Sequence, residues 1–474
     1  LEVLVTTPLT RFTVSGLHGH KDARVELQEN KLILVGENGS GKSTLLNLIY
    51  FFLTRQWSRL REYRFQEIVA VLGGYELSVT PEKLEAFLTH QHQTNVALRH
   101  LPMGMRTELR NRVSQLQFPD MIDDDDLVFF LSEEMNLNPT RAREILRSYQ
   151  REISSNPPEL QSIAKQIASL VSDQFLYLPT YRRIEHDLKS IFRGLEIESE
   201  IHKFRERLAK RASTHFVELV EFGMEDVQHT IVRRMVQIKD NVRTGLDNLT
   251  GTYLRDVIRG VHTAVAVERV RGIDSSRLES MFARIDDKTL PVEDKKRLIE
   301  KVQEMAGLNA VRQEDQVIAH FLSKLIQLYA EQEESEKNVR DFVKVCNEYL
   351  NGKELVYDNI KYTIYIRQAP ELGEQLRMEQ DTLALQHLSS GEKQIVSLFS
   401  HIYLSGAASF FVVIDEPELS LSVPWQRRFL LDIVNSGLCG GLIAATHSPF
   451  VWENQLEPFV RSLREFTTPH HVVR

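Results

Sequence analysis

Cysteine is nearly absent: Cys346 and Cys439 are the two in 474 residues. Two thiols so far apart in a long chain exclude a disulfide-stapled secreted fold and predict a reducing, cytoplasmic setting with both thiols inert. Long apolar runs are missing too. The longest candidate, Leu442 to Ala445, is soon interrupted by His447 and falls far short of the ~20 residues that span a bilayer, so no membrane partner is expected. Pro 15 and Gly 22 leave no room for extended low-complexity tracts. An excess of positive charge is also lacking: the formal net charge of -8 excludes a surface that binds nucleic acid everywhere, although a local basic groove stays open. No sustained heptad register with apolar a and d positions stands out, so no long coiled-coil arm is expected. The chain begins at Leu1 rather than Met, which leaves a preceding leader open.

What is present is globular. With 42% hydrophobic and 26% charged residues there is ample surface to bury, and 474 residues exceed the size at which one core keeps growing. Apolar runs at Lys31 to Val35, Phe410 to Ile414 and Leu442 to Thr446 lack alternation and read as central strands buried on both faces. They end at Gly36, at Asp415 and Glu416, and at His447. Open α/β sheets place ligands at such carboxyl ends, so the three ends are expected to converge.

Alternating stretches at Arg11 to Val14 and Arg24 to Leu27, around a Gly16 to Gly19 turn, predict antiparallel edge strands, and Glu354 to Ile366 around Asp358-Asn359 predicts a second hairpin. Between them, helical spacing appears in Glu82 to Leu88, Pro139 to Tyr149, Ile201 to Val220 and Gln316 to Tyr329. Pro157-Pro158 breaks this region, and Phe175 to Leu178 looks like a returning strand. The expected fold is α/β, with a mixed β-sheet core and large α-helical insertions. Its parts are a first core segment at 1–80, a helical insertion at 81–170, a return strand at 171–185, a helical lobe at 186–350 and a second core segment at 351–474.

Gly36-Glu37-Asn38-Gly39-Ser40-Gly41-Lys42-Ser43-Thr44 matches the phosphate-binding loop pattern G-x-x-x-x-G-K-[ST] between a strand and an apolar helix, Leu45 to Leu53. Its glycines let backbone N–H groups turn inward around phosphates where a Cβ would block them. Lys42 adds charge at the β- and γ-phosphates of ATP, Ser43 offers a ligand to Mg²⁺, and the following helix directs its positive end at the anion. Asp415 suits a hydrated Mg²⁺ and Glu416 suits polarising an attacking water. Leu388-Ser389-Ser390-Gly391-Glu392-Lys393-Gln394 opens a helix, Ile395 to Tyr403, and supplies a second phosphate-reading surface. The same string also reads as an ordinary helix cap with Glu three residues on. Gln66, ahead of an apolar strand, is the candidate Mg²⁺-sensing glutamine.

The order of these motifs, with Ser420-Leu421-Ser422 after the acidic pair and His447 in Ala445-Thr446-His447-Ser448-Pro449, resembles ABC-type ATPases of the RecF and SMC class. That resemblance implies that Ser389, Ser390 and Gly391 of one subunit close on the ATP held by another, giving a dimer with two shared ATPs. It further implies Glu416 as catalytic base, His447 as the switch residue at the γ-phosphate and Ser420 to Ser422 as the D-loop. Ser390 replaces the usual first signature glycine, and Ser422 stands where many relatives carry an acidic residue or histidine.

Leu176-Tyr177-Leu178-Pro179-Thr180-Tyr181-Arg182-Arg183-Ile184-Glu185 and Glu221-Phe222-Gly223-Met224-Glu225-Asp226-Val227 resemble the PtuA-type ATPase subunit of Septu antiphage defence systems, which also accompany some retrons. This implies a higher oligomer and a separate HNH-type nuclease subunit under the control of the ATPase. Nucleic acid, or the reverse transcriptase and noncoding RNA of a retron, are further partners it would allow.

The alternative is a stand-alone RecF/SMC-like DNA-repair ATPase. A nuclease of the OLD type needs a Toprim domain after the ATPase, and about 27 residues follow His447. A transporter subunit would not carry so large an insertion. Arg182 and Arg183 could pair with phosphate or a neighbouring carboxylate. Asp123 to Asp126 reads as a solvated charge run, and His90, His92, His100, His470 and His471 lack partners at metal-ligand spacing.

Overall fold

The apolar runs at 31–35, 410–414 and 442–446 become neighbouring parallel strands. A computed structural model gives the structure, describing residues 8–19, 21–37, 39–97, 138–144, 159–179, 216–218, 224–260, 275–285, 290–307, 313–369 and 382–469, with positions 128, 132, 146, 270 and 287 between them. Asn38, Asp123 to Asp126, Pro157-Pro158, Arg182 and Arg183, His470-His471 and the side chains of His90, His92 and His100 lie outside what it describes.

In chain order the strands are β1 (Leu9–Leu17), β2 (Lys21–Glu26), β3 (Lys31–Val35), β4 (Glu67–Leu72), β5 (Tyr75–Val79), β6 (Gln174–Leu178) and β7 (Phe216–Glu218). They continue as β8 (Lys353–Asp358), β9 (Thr363–Gln368), β10 (Thr382–Leu383), β11 (Phe410–Asp415), β12 (Cys439–Thr446), β13 (Val460–Ser462) and β14 (Thr467–Pro469). The helices used below are α1 (Lys42–Leu53), α2 (Trp57–Leu60), α3 (Pro81–Ala97), α4 (Glu159–Leu170), α5 (Met224–Ile258), α6 (Ser275–Ala283), α7 (Val292–Gly307), α8 (Gln313–Asn347), α9 (Ser390–Leu404) and α10 (Val423–Val434).

Six strands form the central sheet in the order β13-β3-β12-β11-β6-β7, every pair parallel. Alternate residues serve two cores. Leu32, Leu34, Phe411, Val413, Ile443 and Ala445 pack with α1, α4 and the antiparallel sheet. Ile33, Val412, Ile414, Leu442 and Ala444 pack with α5, α8, α9 and α10. Burial on both faces is why these runs are continuously apolar. Mixed pairing is divided among sheets: β14-β2-β1-β4-β5 is antiparallel, and so is β10-β9-β8.

Three expectations need correction. Neither β1 nor β2 is an edge strand, because β4 covers one side of the hairpin and β14 the other. The described end of the expected helix 201–220 is strand β7, which joins β6 in the central sheet. A helical arm is present after all. α5 and α8, 35 residues each and roughly 50 Å long at ~1.5 Å per residue, run antiparallel: Arg234 bonds to Ser335, Gly245 meets Leu328, and Asp256 meets His320. On α5, residues Ile231, Met235, Ile238, Val242, Gly245 and Leu249 follow the alternating four-three spacing of a helix seam. Gly245, and the buried Gln332 and Glu336 in the matching row of α8, hide that register from an apolar-only reading. Glu336 is fully buried and bound by Arg284 at 2.8 Å and Arg340 at 3.1 Å. A third core, including Leu278, Phe282, Val302 and Leu322, sits where α6 and α7 cover the far part of the pair. Among the described residues no helix is long and apolar enough to cross a membrane.

Candidate active site

The site begins with β3 and the turn that follows it. Gly39 and Gly41 have φ of 76° and 107°, left-handed values that a Cβ would strain, and Gly41 caps α1. α1 is a rigid base for this loop. It buries nine residues, Phe52 packs edge-on against Phe12 at 5.7 Å, and Tyr50 stacks on Tyr177 of β6 at 4.5 Å. The Tyr177 hydroxyl donates to Asn47, whose amide donates to Tyr63 at 3.1 Å. The helix is therefore fastened to the sheet beside it, a prerequisite for holding a loop to sub-ångström geometry.

Lys42 is 4% exposed, and its Nζ donates to the carbonyls of Gly36 at 2.8 Å and Glu37 at 3.2 Å. Ser43 is exposed at the first turn and Thr44 half-buried beside it. The Ser40 hydroxyl is buried within the loop with no hydrogen-bond partner among the described residues. Together, left-handed glycines, a buried cation and an unpaired hydroxyl fit a polyphosphate group. Glu37 lies at the rim and accepts a bond from Arg464 at 2.7 Å.

β11 lies one strand away, separated from β3 only by β12. Asp415 ends β11 and is 2% exposed. The next residue, Glu416, has φ 51°, an uncommon conformation for a residue with a side chain and one found where function imposes it. Its N–H donates to Ala445 of β12 at 2.8 Å, which holds the turn. That turn brings the Glu416 carboxylate to 3.9 Å from Lys42 Nζ and 2.6 Å from His447 Nδ1. Burial first, and the neighbouring Glu418 carboxylate second, push the Glu416 pKa up, with His447 opposing. A carboxylate of raised basicity beside an imidazole can accept a proton from water. Ser43 and Asp415 carry oxygens of the kind that Mg²⁺ prefers.

Glu418 was not anticipated from sequence. It is 7% exposed and accepts bonds from the main chain of His447 and Ser448 and from the Thr446 hydroxyl. A second acid two places after Glu416 is the signal that could have revealed it. His447 also lines a cleft of about 450 Å³ with Gly36, Glu37 and Trp452.

A second cluster forms around Ser389, Ser390 and Gly391. Ser389 caps α9, its hydroxyl accepting from the Glu392 N–H at 3.3 Å while the Glu392 carboxylate accepts from the Ser389 N–H at 2.7 Å. The capping reading of this string is thus realised. It leaves the Ser389 hydroxyl proton available as a donor. Lys353 of β8 holds the same Glu392 at 2.9 Å. Gly391 faces the carbonyl of Ser420 and the ring of Trp425, so the 389–391 segment and the loop after β11 pack as one unit. Ser420, with φ 65°, makes the turn that permits this. Gln66 stands apart from these contacts. It is exposed at the foot of β4, its N–H bonded to Ser15 and its side chain over Gly16.

No curated protein matches the sequence significantly. Among solved structures, the Smc head domain of Pyrococcus furiosus, with an extended coiled coil and bound to the C-terminal domain of ScpA, aligns at a TM-score of 0.32 and 12% identity, over 94% of this chain and 92% of that one. The Smc head domain of Pyrococcus yayanosii, with a coiled coil and joint, aligns at 0.29 and 14%, over 94% and 93%. The family model described as AAA ATPase domain matches residues 9–451. The chain, an α/β P-loop ATPase head with inserted helices, belongs to the AAA ATPase domain family.

Proposed function

We propose that this chain binds and hydrolyses ATP as the control and scaffold subunit of an antiphage defence complex, acting on a separate HNH-type nuclease. One observation carries the ATPase part of the reading: Lys42 at the start of α1, Glu416 after β11 and His447 after β12 meet, with Glu416 3.9 Å from Lys42 and 2.6 Å from His447. Lys42 and the loop N–H groups bind and orient the phosphates. Glu416 takes the proton of the attacking water, and His447 fixes that carboxylate and faces the phosphate side of the cleft. Ser43 and Asp415 would hold a Mg²⁺ ion, which would offset phosphate charge.

By the resemblance to RecF- and SMC-class ATPases, the Ser389–Gly391 cluster serves the nucleotide of a second copy. Dimer formation thereby completes each site. The Septu-like segments at 176–185 and 221–227 support the role of nuclease control, and the α5–α8 arm offers a surface on which such a partner can dock. The deciding experiment is native mass spectrometry of the tagged chain purified from its own genomic setting, with and without ATP. A stable second polypeptide of nuclease type supports the proposal. A bare homo-oligomer that binds DNA ends in an ATP-dependent manner replaces it with the RecF/SMC-like repair reading.

A further inference from the structure

Thr446, His447 and Ser448 follow β12, where a strand ends and its main-chain groups lose their ladder partners. All three turn around one side chain. Glu418 Oε1 accepts from the N–H of His447 at 3.1 Å and from the N–H of Ser448 at 3.1 Å, and Oε2 accepts from the Thr446 hydroxyl at 2.7 Å. The Thr446 hydroxyl in turn accepts from the Ser448 N–H at 3.0 Å. Thr446 is fully buried and Ser448 is 9% exposed, so water does not compete for these bonds. Hydrogen bonds to a buried carboxylate are about twice as strong as neutral ones. The acid is placed there by the tight turn after β11, in which Leu419 N–H bonds to the Glu416 carbonyl at 3.2 Å and Leu421 N–H to the Glu418 carbonyl at 3.1 Å.

The consequence falls on His447, whose ring is otherwise half-exposed at 51% and would have several rotamers open to it. With its main chain pinned, Nδ1 stands 2.6 Å from Glu416 and 3.1 Å from Glu418, and the residue lines the cleft beside Gly36 and Glu37. We infer that Glu418 is the positioning residue of this site: by binding the main chain at 446–448 it fixes where the His447 imidazole meets Glu416. The inference rests on the reading of Glu416 and His447 as the hydrolytic pair. Glu418 touches neither water nor phosphate in this role. Beside its direct effect on the neighbouring Glu416 carboxyl, it acts through His447.

Two variants separate this role from a general effect of charge. Glu418→Gln keeps an oxygen that accepts from both N–H groups and offers an amide to the Thr446 hydroxyl. Glu418→Ala removes every one of these bonds. ATP hydrolysis and binding of a fluorescent ATP analogue are measured in both, along with the ¹⁵N signals of the His447 ring, identified by their loss in His447→Gln. Glu418→Ala should lower kcat by ~10- to 100-fold, the scale of a misplaced catalytic group, leave nucleotide affinity within ~3-fold and shift the His447 ring signals. Glu418→Gln should restore kcat to within ~3-fold and return those signals. Equal loss in both variants, or unchanged His447 signals in Glu418→Ala, overturns the inference. Should the alanine variant fail to fold, Glu418→Asp, which withdraws the carboxylate by one methylene, is expected to show the same loss, and a full rate there overturns the inference equally. Absence of ATP hydrolysis in the unaltered protein would instead overturn the functional reading alone, because the ring signals still report on Glu418.

Discussion

A Cβ placed on Gly391 would stand 2.5 Å from the carbonyl oxygen of Ser420 and 3.0 Å from the ring of Trp425. The nearer atom belongs to a backbone turn already held at φ 65°, so it cannot yield cheaply. Gly391→Ala is expected to displace the start of α9 and lower ATP hydrolysis ~10-fold or more, with nucleotide affinity unchanged. Gly245 provides the comparison. Its Cβ would also come within 2.5 Å of a neighbour, but that neighbour is the end of the Leu328 side chain, which can rotate. Gly245→Ala should leave hydrolysis intact, and equal losses in the two variants would refute the argument from Ser420.

Lys42 and Glu416 divide binding from chemistry. Lys42→Ala is expected to abolish ATP binding, whereas Glu416→Gln keeps binding and slows hydrolysis by ~10²–10⁴-fold, the usual contribution of a general base. Calorimetric titration with ATP and a phosphate-release assay read the two effects separately. Equal hydrolysis in the unaltered protein and Glu416→Gln removes Glu416 from the role of base.

Ser389 can be both a helix cap and a phosphate donor, and one substitution tells the roles apart. Aspartate is as good a cap as serine, so Ser389→Asp should keep α9 stable, while Ser389→Ala costs about 1 kcal/mol. Yet a carboxylate cannot donate to phosphate and repels it. Ser389→Asp is therefore expected to abolish ATP-dependent dimerisation, as is the bulky Ser389→Arg, and light scattering checks both. An intact ATP-dependent dimer in Ser389→Asp would restrict the residue to capping.

Much of this site was legible in advance because phosphate chemistry demands particular residues at fixed spacing. The glycines at 39 and 41, Lys42 and the acids at 415 and 416 carry such a pattern, and the continuous apolar runs beside them could only be strands buried on both faces. The α5–α8 arm was not legible: Gln332 and Glu336 occupy seam positions, Glu336 because Arg284, 52 residues away, pairs with it, and an apolar count passes over both. Phe216 to Glu218 likewise becomes a strand because β6 offers an unpaired edge, a tertiary effect absent from local spacing. Glu418 and Lys353 escaped notice for a related reason. Their importance lies in what they bind, and those partners are 28 to 39 residues away.

The cap of α9 carries a pH signature. Burial opposes ionisation of Glu392, but the bonds from Lys353 and Ser389 outweigh it and hold the pKa below the ordinary carboxyl value. A folded-state pKa that is depressed contributes stability above the unfolded value, lost as pH falls through the folded one. The stability difference between the unaltered protein and Glu392→Gln should therefore be constant from about pH 8 to about pH 5 and shrink below about pH 4. Thermal denaturation across that range checks it, and a difference that widens in acid contradicts the assignment.

Gln426 ties the loop at 420–422 to the switch segment. Its amide N–H donates to the Leu421 carbonyl at 2.9 Å, and its amide oxygen accepts from the Ser448 hydroxyl at 2.8 Å. Ser448 in turn donates its N–H to Glu418, the same carboxylate that binds the His447 main chain. A displacement of the loop, which packs on Gly391 at the expected dimer face, is thus passed to His447 through three side chains. Gln426→Leu keeps the size of the residue and breaks both bonds. It is expected to leave ATP affinity and the ATP-dependent dimer in place while lowering kcat by ~10-fold, a split that isolates communication from assembly. Gln426→Glu retains an acceptor for Ser448 but presents a carboxylate to the Leu421 carbonyl, so it should be impaired as well. Hydrolysis at the unaltered rate in both variants would show that the loop and His447 move independently, and that ATP closure reaches Glu416 by another route.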